Sequence, residues 1–329
     1  MNTLPLILAA ALSTAKPVTV VTTTFPIYDW TREAIGDSTN RVELVLLQKS
    51  GADLHNYTPT AADLRTISEC DLFIYNGGES DGWTSRALAQ KANPKRRELS
   101  LLAALGDAVK DEEIREEMEH HHHDGHEEHD EHCGHDEHDE HHHHHDHAGI
   151  VKEKDEHVWL SLRHAKALVG SIADSLGDVD PANAAAYSKN ARAYTERLAA
   201  LDREYSDAVA HSRRRTILVA DRFPFRYLTD DYGLEWHAAF TGCSAESEAS
   251  FKTIMTLAKK VNNLGLPVIL TMEGANHKIA ETVRRTTRRK NQRILSLDSM
   301  QSVTVDRAER EHYIDVMRRN LKVLKQALN

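Results

Sequence analysis

The sequence predicts an α/β protein of two lobes, each with a mainly parallel sheet flanked by helices, joined by one long rigid helix. Short β-branched strands alternate with helical segments on both sides of residues 182–210. Within that central segment, apolar side chains recur every three or four residues from Tyr187 to Tyr205. A helix of this length extends roughly 40 Å at about 1.5 Å per residue, which suits a connector between two lobes.

Local composition assigns the individual elements. Residues 18–24 are all β-branched, which favours a buried strand, and Pro26 ends it before a helix over residues 27–35. The alternation then continues through both halves of the chain. Strands are predicted at 42–47, 71–75, 97–102, 216–220, 237–240, 267–271 and 293–297, and helices at 61–70, 250–264, 278–287 and 311–328. A helical period also returns from Leu160, ahead of the central segment.

These elements suggest an N-terminal lobe over residues 16–181, a linking helix over 182–210 and a C-terminal lobe over 211–329. Residues 1–15 are expected to be an incomplete signal peptide, because an apolar run precedes small residues but a positively charged start is missing. The alternative is a first buried strand. A signal peptide would make this an exported protein. The sequence has no cysteine near residue 16, so it does not support a lipid anchor.

Composition excludes several classes of protein. A net charge of −10 argues against a nucleic-acid binder, which needs a basic face. Three cysteines, Cys70, Cys133 and Cys243, cannot form a disulfide framework. No run of 18 apolar residues is present, so no membrane-spanning helix is expected.

Residues 109–155 are dense in His, Asp and Glu and poor in large apolar side chains, which predicts a disordered, solvated insertion in the first lobe. Several histidines together can hold zinc at modest affinity, and the acidic residues attract cations. We interpret the insertion as a metal-collecting or metal-sensing loop; a solvated linker and a purification tag are the alternatives. Its candidate ligands are His120, His121, His122, His123, His126, His129, His132, His135, His138, His141, His142, His143, His144, His145 and His147.

Two further histidines lie at positions suited to a metal site. His55 is in a loop after the strand at 42–47, and open α/β sheets bind ligands at the carboxyl ends of strands. His157 lies where the chain returns from the insertion to ordered structure. Neutral imidazole is the commonest transition-metal side-chain ligand. Each histidine taken alone is also compatible with a structural polar residue.

Several motifs identify a family resemblance. The most specific are the loop HNYTPTAADL from His55, the box EHVWLS from Glu156, and the acidic His-rich insertion between them. With these, the chain resembles the solute-binding proteins of zinc and manganese ABC importers, the cluster A-I group. The insertion resembles that of the zinc-specific branch. Further matching stretches are 22–30, 53–63, 71–77 with Trp83, 224–234, 278–282 and 295–298.

The resemblance implies metal ligands at His55 and His157. The position of a third family histidine is occupied by Ala220, and Asp221 is the nearest replacement, although it could equally cap a turn or pair with Arg222.

A fourth, acidic family ligand aligns with Met272, and a one-residue slip brings in Glu273, which could also be a helix-start residue. His237 and Cys243 are other possible ligands. Two histidines and two carboxylates suit zinc, and they suit Mn²⁺ better than three histidines would.

The resulting expectation is a monomeric extracytoplasmic receptor that captures Zn²⁺ in a cleft between the lobes and presents it to an ABC permease. The alternatives are a metal storage or buffering protein acting through the insertion, a manganese-specific receptor, and a zinc hydrolase. Against an enzyme, the sequence has no HExxH, GxSxG or Walker-type motif.

Overall fold

Two four-stranded sheets, each with neighbouring strands parallel, organise this computed structural model, which describes residues 16–51, 53–113, 115, 153–242 and 248–329. The signal-like segment, the histidines of the insertion and Cys243 lie outside these residues. The first sheet has the order β2-β1-β3-β4 and the second β6-β5-β7-β8. The strands are β1 (Val18–Thr22), β2 (Val42–Leu46), β3 (Leu72–Tyr75), β4 (Arg97–Ser100), β5 (Thr216–Phe223), β6 (Glu235–Thr241), β7 (Val268–Met272) and β8 (Arg293–Leu297).

Both sheets share one topology. In each, the first strand along the chain lies between the second and the third, so the connections leave it on opposite sides. The strand order therefore reverses between β1 and β3, and between β5 and β7. Open parallel sheets bind ligands outside the carboxyl ends of their strands at such a point.

The helices confirm the predicted α/β alternation and add four that the sequence patterns missed. The added helices, α3, α4, α7 and α10, are five to seven residues long, too short for a helical period to stand out. In the described residues, no helix is long and apolar enough to cross a membrane. The helices are α1 (Phe25–Ile35), α2 (Ala61–Glu69), α3 (Thr84–Ala89), α4 (Leu101–Leu105), α5 (Leu162–Val179), α6 (Ala184–Ala210), α7 (Arg226–Tyr232), α8 (Phe251–Leu264), α9 (Lys278–Thr286), α10 (Val305–Arg310) and α11 (Tyr313–Leu328).

The chain forms two compact units whose bounds differ from the predicted lobes. The first contains the described residues of Met1–Gly106, Ser161–Glu204 and Met300–Arg318, and the second those of Asp107–Leu160, Tyr205–Ser299 and Arg319–Asn329. The long helix α6 begins in the first unit and ends in the second, and α11 does the same.

The two described ends of the insertion, residues 109–113 and 153–155, form its base and belong to the second unit. The sequence patterns had placed them in the first lobe. Its two arms meet in an antiparallel bridge between Asp111 and Lys154. The Tyr227 hydroxyl of α7 accepts from the Lys110 N–H at 2.9 Å and donates to the Asp155 carbonyl at 2.8 Å. These bonds attach the insertion to α7, an element that residue composition does not link to it.

Helix α6 buries the apolar positions that predicted it. Tyr187, Ala191, Tyr194, Leu198, Leu201 and Tyr205 are each at most 4% exposed. At its start, the Tyr187 hydroxyl donates to Asp180 at 2.8 Å, which satisfies a buried polar group. The stripe recurs at the helical period, so one continuous face packs inward.

Replacing Leu198 by alanine tests this buried face. Because Leu198 is fully buried, Leu198→Ala should lower the free energy of unfolding by about 2–5 kcal/mol. Glu196→Ala, at an exposed position of the same helix, should change it by no more than about 0.5 kcal/mol. Urea denaturation of both variants gives the comparison, and equal effects would contradict the assignment of the buried face.

Candidate metal site

His157 is a fully buried imidazole held by a carboxylate two residues away. Its Nδ1 lies 2.9 Å from Asp155 Oδ1, and its backbone N–H donates to the same oxygen at 2.9 Å. In the neutral ring, an Nδ1–H that donates to Asp155 places the lone pair on Nε2. Metal-binding histidines are commonly oriented in this way by a carboxylate on the other nitrogen.

The glycine after β6 allows the sheet to approach this ring. A Cβ added at Gly242 would lie 2.9 Å from His157 Cε1 and 3.0 Å from the Phe223 carbonyl oxygen. Such distances are below van der Waals contact, so any larger residue would displace the imidazole or the strand. Because Phe223 ends β5, His157 lies at the carboxyl edge of the second sheet.

Three acidic side chains act on the pKa of His157. Burial lowers the pKa of its imidazole, but the hydrogen bond and charge of Asp155, with the charges of Glu112 and Glu156, outweigh burial and raise it. A cavity of about 10 Å³, enough for about one water, is lined by Glu112, Glu113 and Asp155 and also by Arg226, which pairs with Glu113 at 3.3 Å. The acidic groups therefore favour the protonated form of His157, while part of the charge beside them is balanced by arginine.

Glu273 follows β7 and is bound at both carboxylate oxygens by Ser299. The Ser299 N–H donates to Oε2 at 2.7 Å and the Ser299 hydroxyl to Oε1 at 2.6 Å. Trp159, two residues after His157, donates its ring N–H to the Ser299 carbonyl at 2.8 Å. Burial, and then the charge of Asp298, raise the pKa of Glu273 to about 7. Ser299 thus links Glu273 to the segment that carries His157.

Asp221 and Ala220 lie where the pairing of β5 with β6 shifts register. The Asp221 carboxylate accepts from the Arg222 N–H at 2.9 Å and from the Met272 N–H at 3.3 Å, which places it beside the end of β7. Ala220 is 2% exposed and packs in an apolar cluster with Leu218. Asp221 therefore lies at the carboxyl edge at the reversal point of the second sheet, and Ala220 belongs to the core.

The second unit brings these candidates to one edge without bringing their ligand atoms into coordination distance. Among its described residues, no three ligand atoms of His, Cys, Asp or Glu lie within 4.8 Å of one another. His237, the other candidate in this unit, is half-buried on β6.

His55 lies in the first unit, in a 3₁₀ turn over Leu54–Asn56 after β2. The Asp53 side chain caps the turn by accepting from the His55 backbone N–H at 3.1 Å. The ring is held on both sides, with Nδ1 at 2.6 Å from Ser80 Oγ and Nε2 at 3.1 Å from the Gln301 amide nitrogen. Both candidate histidines thus have Nδ1 tied to a nearby oxygen.

A different cluster in the first unit also groups metal-binding side chains. His312 Nδ1 lies 3.3 Å from Asp29 and 3.1 Å from Glu33. However, the Arg32 guanidinium donates to Asp29, and the Arg197 guanidinium pairs with Glu33 at 2.9 Å. Because both carboxylates already face a fixed cation, we interpret this cluster as an ion-pair network.

Comparison with known proteins identifies the family. Residues 20–327 match the model of the ZnuA family, described as the zinc-uptake complex component A, periplasmic. The chain belongs to this family. Two relatives are the zinc-binding lipoprotein AdcA of Streptococcus pneumoniae (TIGR4), 31% identical over 93% of this chain and 55% of its own, and the high-affinity zinc uptake system protein ZnuA of Bacillus subtilis, 28% identical over 94% and 87%.

A solved structure agrees with this ZnuA membership. The zinc-bound ZnuA-like domain of Streptococcus pneumoniae AdcA has 27% identity and a TM-score of 0.69, covering 95% of this chain and 99% of that domain. The chain spans about half the length of the AdcA relatives it matches. The resemblance to zinc and manganese solute-binding proteins and the two-sheet fold are therefore confirmed.

The residues that hold the candidate ligands were largely missed from sequence. Asp155 lies two positions before His157, and its D-x-H spacing was a usable local signal. Ser80 and Gln301 are 25 and 246 residues from His55, so no local pattern reveals them. Ser299 is likewise 26 residues from Glu273.

Removing the charge of Asp155 tests whether this carboxylate raises the pKa of His157. Asp155→Asn should lower the pKa of His157, because the charged acceptor that raises the pKa is lost while burial, which lowers it, remains. NMR titration of the ring nitrogens in metal-free protein measures the change. Asp202→Asn, which removes a carboxylate paired with Lys166 in the first unit, is the control. An unchanged or higher pKa in Asp155→Asn would refute this account.

The raised pKa of Glu273 predicts a pH dependence of stability. Since its pKa rises from the usual 4.5 to about 7, Glu273 binds a proton more tightly in the folded state. It therefore stabilises the fold at low pH, and this contribution is lost as the pH rises through about 7.

Urea midpoints at about pH 5 and about pH 8 measure the effect. Glu273→Gln should show a smaller decrease over this range than the parent protein. Ser299→Ala should show a larger one, because the hydroxyl that favours the ionised carboxylate is gone. Equal decreases in all three proteins would show that Glu273 does not titrate in this way.

Proposed function

We propose that this protein is an extracytoplasmic receptor that captures Zn²⁺ and presents it to an ABC permease. The observation that carries the proposal is the shared geometry of His55 and His157. Each lies in a family motif, and each has Nδ1 tied to a local oxygen, Ser80 Oγ or Asp155 Oδ1. In known zinc sites, an imidazole held at one ring nitrogen in this way binds the metal through the other. Membership of the ZnuA family supports zinc as the transported ion.

We infer that Asp221 and Glu273 complete the ligand set. Zinc takes four ligands from His, Cys or carboxylate, and two histidines with two carboxylates meet this need. Both acidic residues lie at the carboxyl ends of the central strands of the second sheet, and each carboxylate oxygen retains a lone pair beyond its present hydrogen bond. The match of both histidine motifs to the family supports combining these ligands with His55.

Zinc is preferred over manganese in this proposal. Each carboxylate replacing a histidine moves the preference of a site toward harder ions such as Mn²⁺. Two imidazoles remain, however, and the AdcA relatives are named for zinc. A Mn²⁺ receptor is therefore the second choice for the same site.

We propose that the His-rich insertion collects metal for this site. Its described base is closed by the Asp111–Lys154 bridge and by the Glu112 N–H, which donates to the Glu153 carbonyl at 2.8 Å. The chain then reaches His157 within three residues of Lys154. Metal held by the insertion would thus be tethered to the segment that carries a proposed ligand.

Zinc titration by competition with a chelator of known affinity tests the receptor. Protein lacking residues 119–147 should bind one zinc tightly. In that background, His55→Ala should lose more affinity than the roughly 10- to 100-fold typical of an outer partner, because a ligand itself is removed. His211→Ala, at an exposed histidine, should bind as the parent does.

Two results would contradict the receptor. Tight binding could disappear with residues 119–147, or it could be indifferent to His55→Ala. Either would favour a storage or buffering protein that acts through the insertion. Turnover of ester or peptide substrates by the zinc-loaded protein would instead favour the hydrolase.

A further inference from the structure

The side chain of Gln301 covers the nitrogen of His55 that the proposed zinc site needs. Gln301 is 4% exposed, and its amide nitrogen lies 3.1 Å from His55 Nε2. With the amide nitrogen assigned toward the ring, Gln301 donates an N–H to the Nε2 lone pair. The ring proton is then on Nδ1, where Ser80 Oγ at 2.6 Å accepts it. The two contacts are mutually consistent and specify one tautomer.

The backbone around Gln301 is fixed in place. Met300, directly before it, has φ +61°, a left-handed conformation that is unfavourable for a residue with a side chain, and it is 2% exposed. Buried packing of Met300 therefore holds a strained backbone that sets the direction of the next residue.

The chain after Gln301 is joined to the loop that carries His55. Thr304 pairs with Ser50 in an antiparallel bridge, and the Val305 N–H donates to the Lys49 carbonyl at 3.1 Å. Gly51 has φ +77°, and a Cβ there would lie 2.9 Å from the Thr304 methyl. The loop and the segment after Gln301 thus approach too closely for a larger residue, so the backbone that carries Gln301 is fixed beside the loop of His55 while the side-chain contact can still be exchanged.

We propose that Gln301 is a displaceable cap on His55 Nε2 that opposes zinc capture. The Nε2 lone pair can accept an N–H or bind zinc, but not both. Zinc must therefore break the Gln301 contact before it binds, and re-formation of the contact competes with the ion. This inference rests on the proposed function, because it assigns a role to Gln301 only if His55 is a zinc ligand.

Removal of the cap should strengthen zinc binding. A net hydrogen bond between neutral groups changes an equilibrium by about fivefold, so Gln301→Leu should lower the zinc dissociation constant by about that factor. The gain should be in the association rate, because the capped state must open before the ion enters. Leucine keeps the volume of the buried side chain and cannot donate to Nε2.

The test uses the full chain and Zn²⁺ as the probe. Chelator competition and stopped-flow mixing follow the zinc equivalent that His55→Ala removes. Gln48→Leu is the matched control, since Gln48 is a buried glutamine of the same unit at 8% exposure whose amide nitrogen has no hydrogen-bond partner among the described residues. Gln48→Leu should leave the dissociation constant unchanged.

The possible results distinguish failure of the Gln301 proposal from failure of the proposed receptor function. Tighter and faster binding in Gln301→Leu alone supports the cap. Unchanged binding overturns it, and weaker binding overturns it in favour of Gln301 as a ligand or support for His55. If the parent chain has no zinc equivalent that depends on His55, the proposed function itself fails, whatever the Gln301 variant does.

A second measurement does not depend on a variant folding. Ring ¹⁵N NMR of His55 in the metal-free parent chain should show a protonated Nδ1 and a hydrogen-bonded, unprotonated Nε2. Added Zn²⁺ should shift the Nε2 signal and release the Gln301 amide protons to exchange with water. A ring proton on Nε2, or Gln301 amide signals insensitive to Zn²⁺, would overturn the cap.

Discussion

The pairing of the buried Asp155 carboxylate with His157 is the constraint on which the second unit depends. Asp155 orients the ring through Nδ1, while its backbone ties the base of the insertion to Lys110 and to Tyr227 of α7. A buried carboxylate is costly unless hydrogen bonds compensate it, and here the N–H groups of His157 do so. The same contacts that make the burial of Asp155 tolerable also fix the orientation of a candidate ligand.

Each proposed ligand is already engaged by the protein. Backbone N–H groups bind Asp221, Ser299 binds Glu273, and Gln301 binds His55. These bonds hold each side chain in one orientation without an ion, which limits the ordering cost of binding at that residue. The ion must in turn share or replace these partners, and this lowers its affinity. In the proposed receptor, the same partners would be available to each ligand again when the ion leaves.

The sequence predicted the fold well where the signal is local. The β-branched runs and the buried stripe of α6 matched observed elements within a few residues, whereas helices of five to seven residues and the unit that holds the base of the insertion did not follow from composition. For the site, the histidine motifs were readable, but Ser80, Gln301 and Ser299 reach their partners across long stretches of chain. Ala220 shows a further limit of prediction from sequence. Inward and outward side chains stop alternating along β5 at the register shift, so only the structure shows that Ala220 lies in the core and Asp221 at the carboxyl edge.

The contacts of Ser299 and Gln301 restrict which changes of chain length this protein can tolerate. Ser299 in the second unit holds Glu273, Gln301 in the first holds His55, and only the strained Met300 separates them. An insertion or deletion of one residue between them would shift at least one of the two contacts, whereas a substitution leaves the spacing of both intact. This stretch should therefore tolerate exchanges of side chains more readily than changes of length.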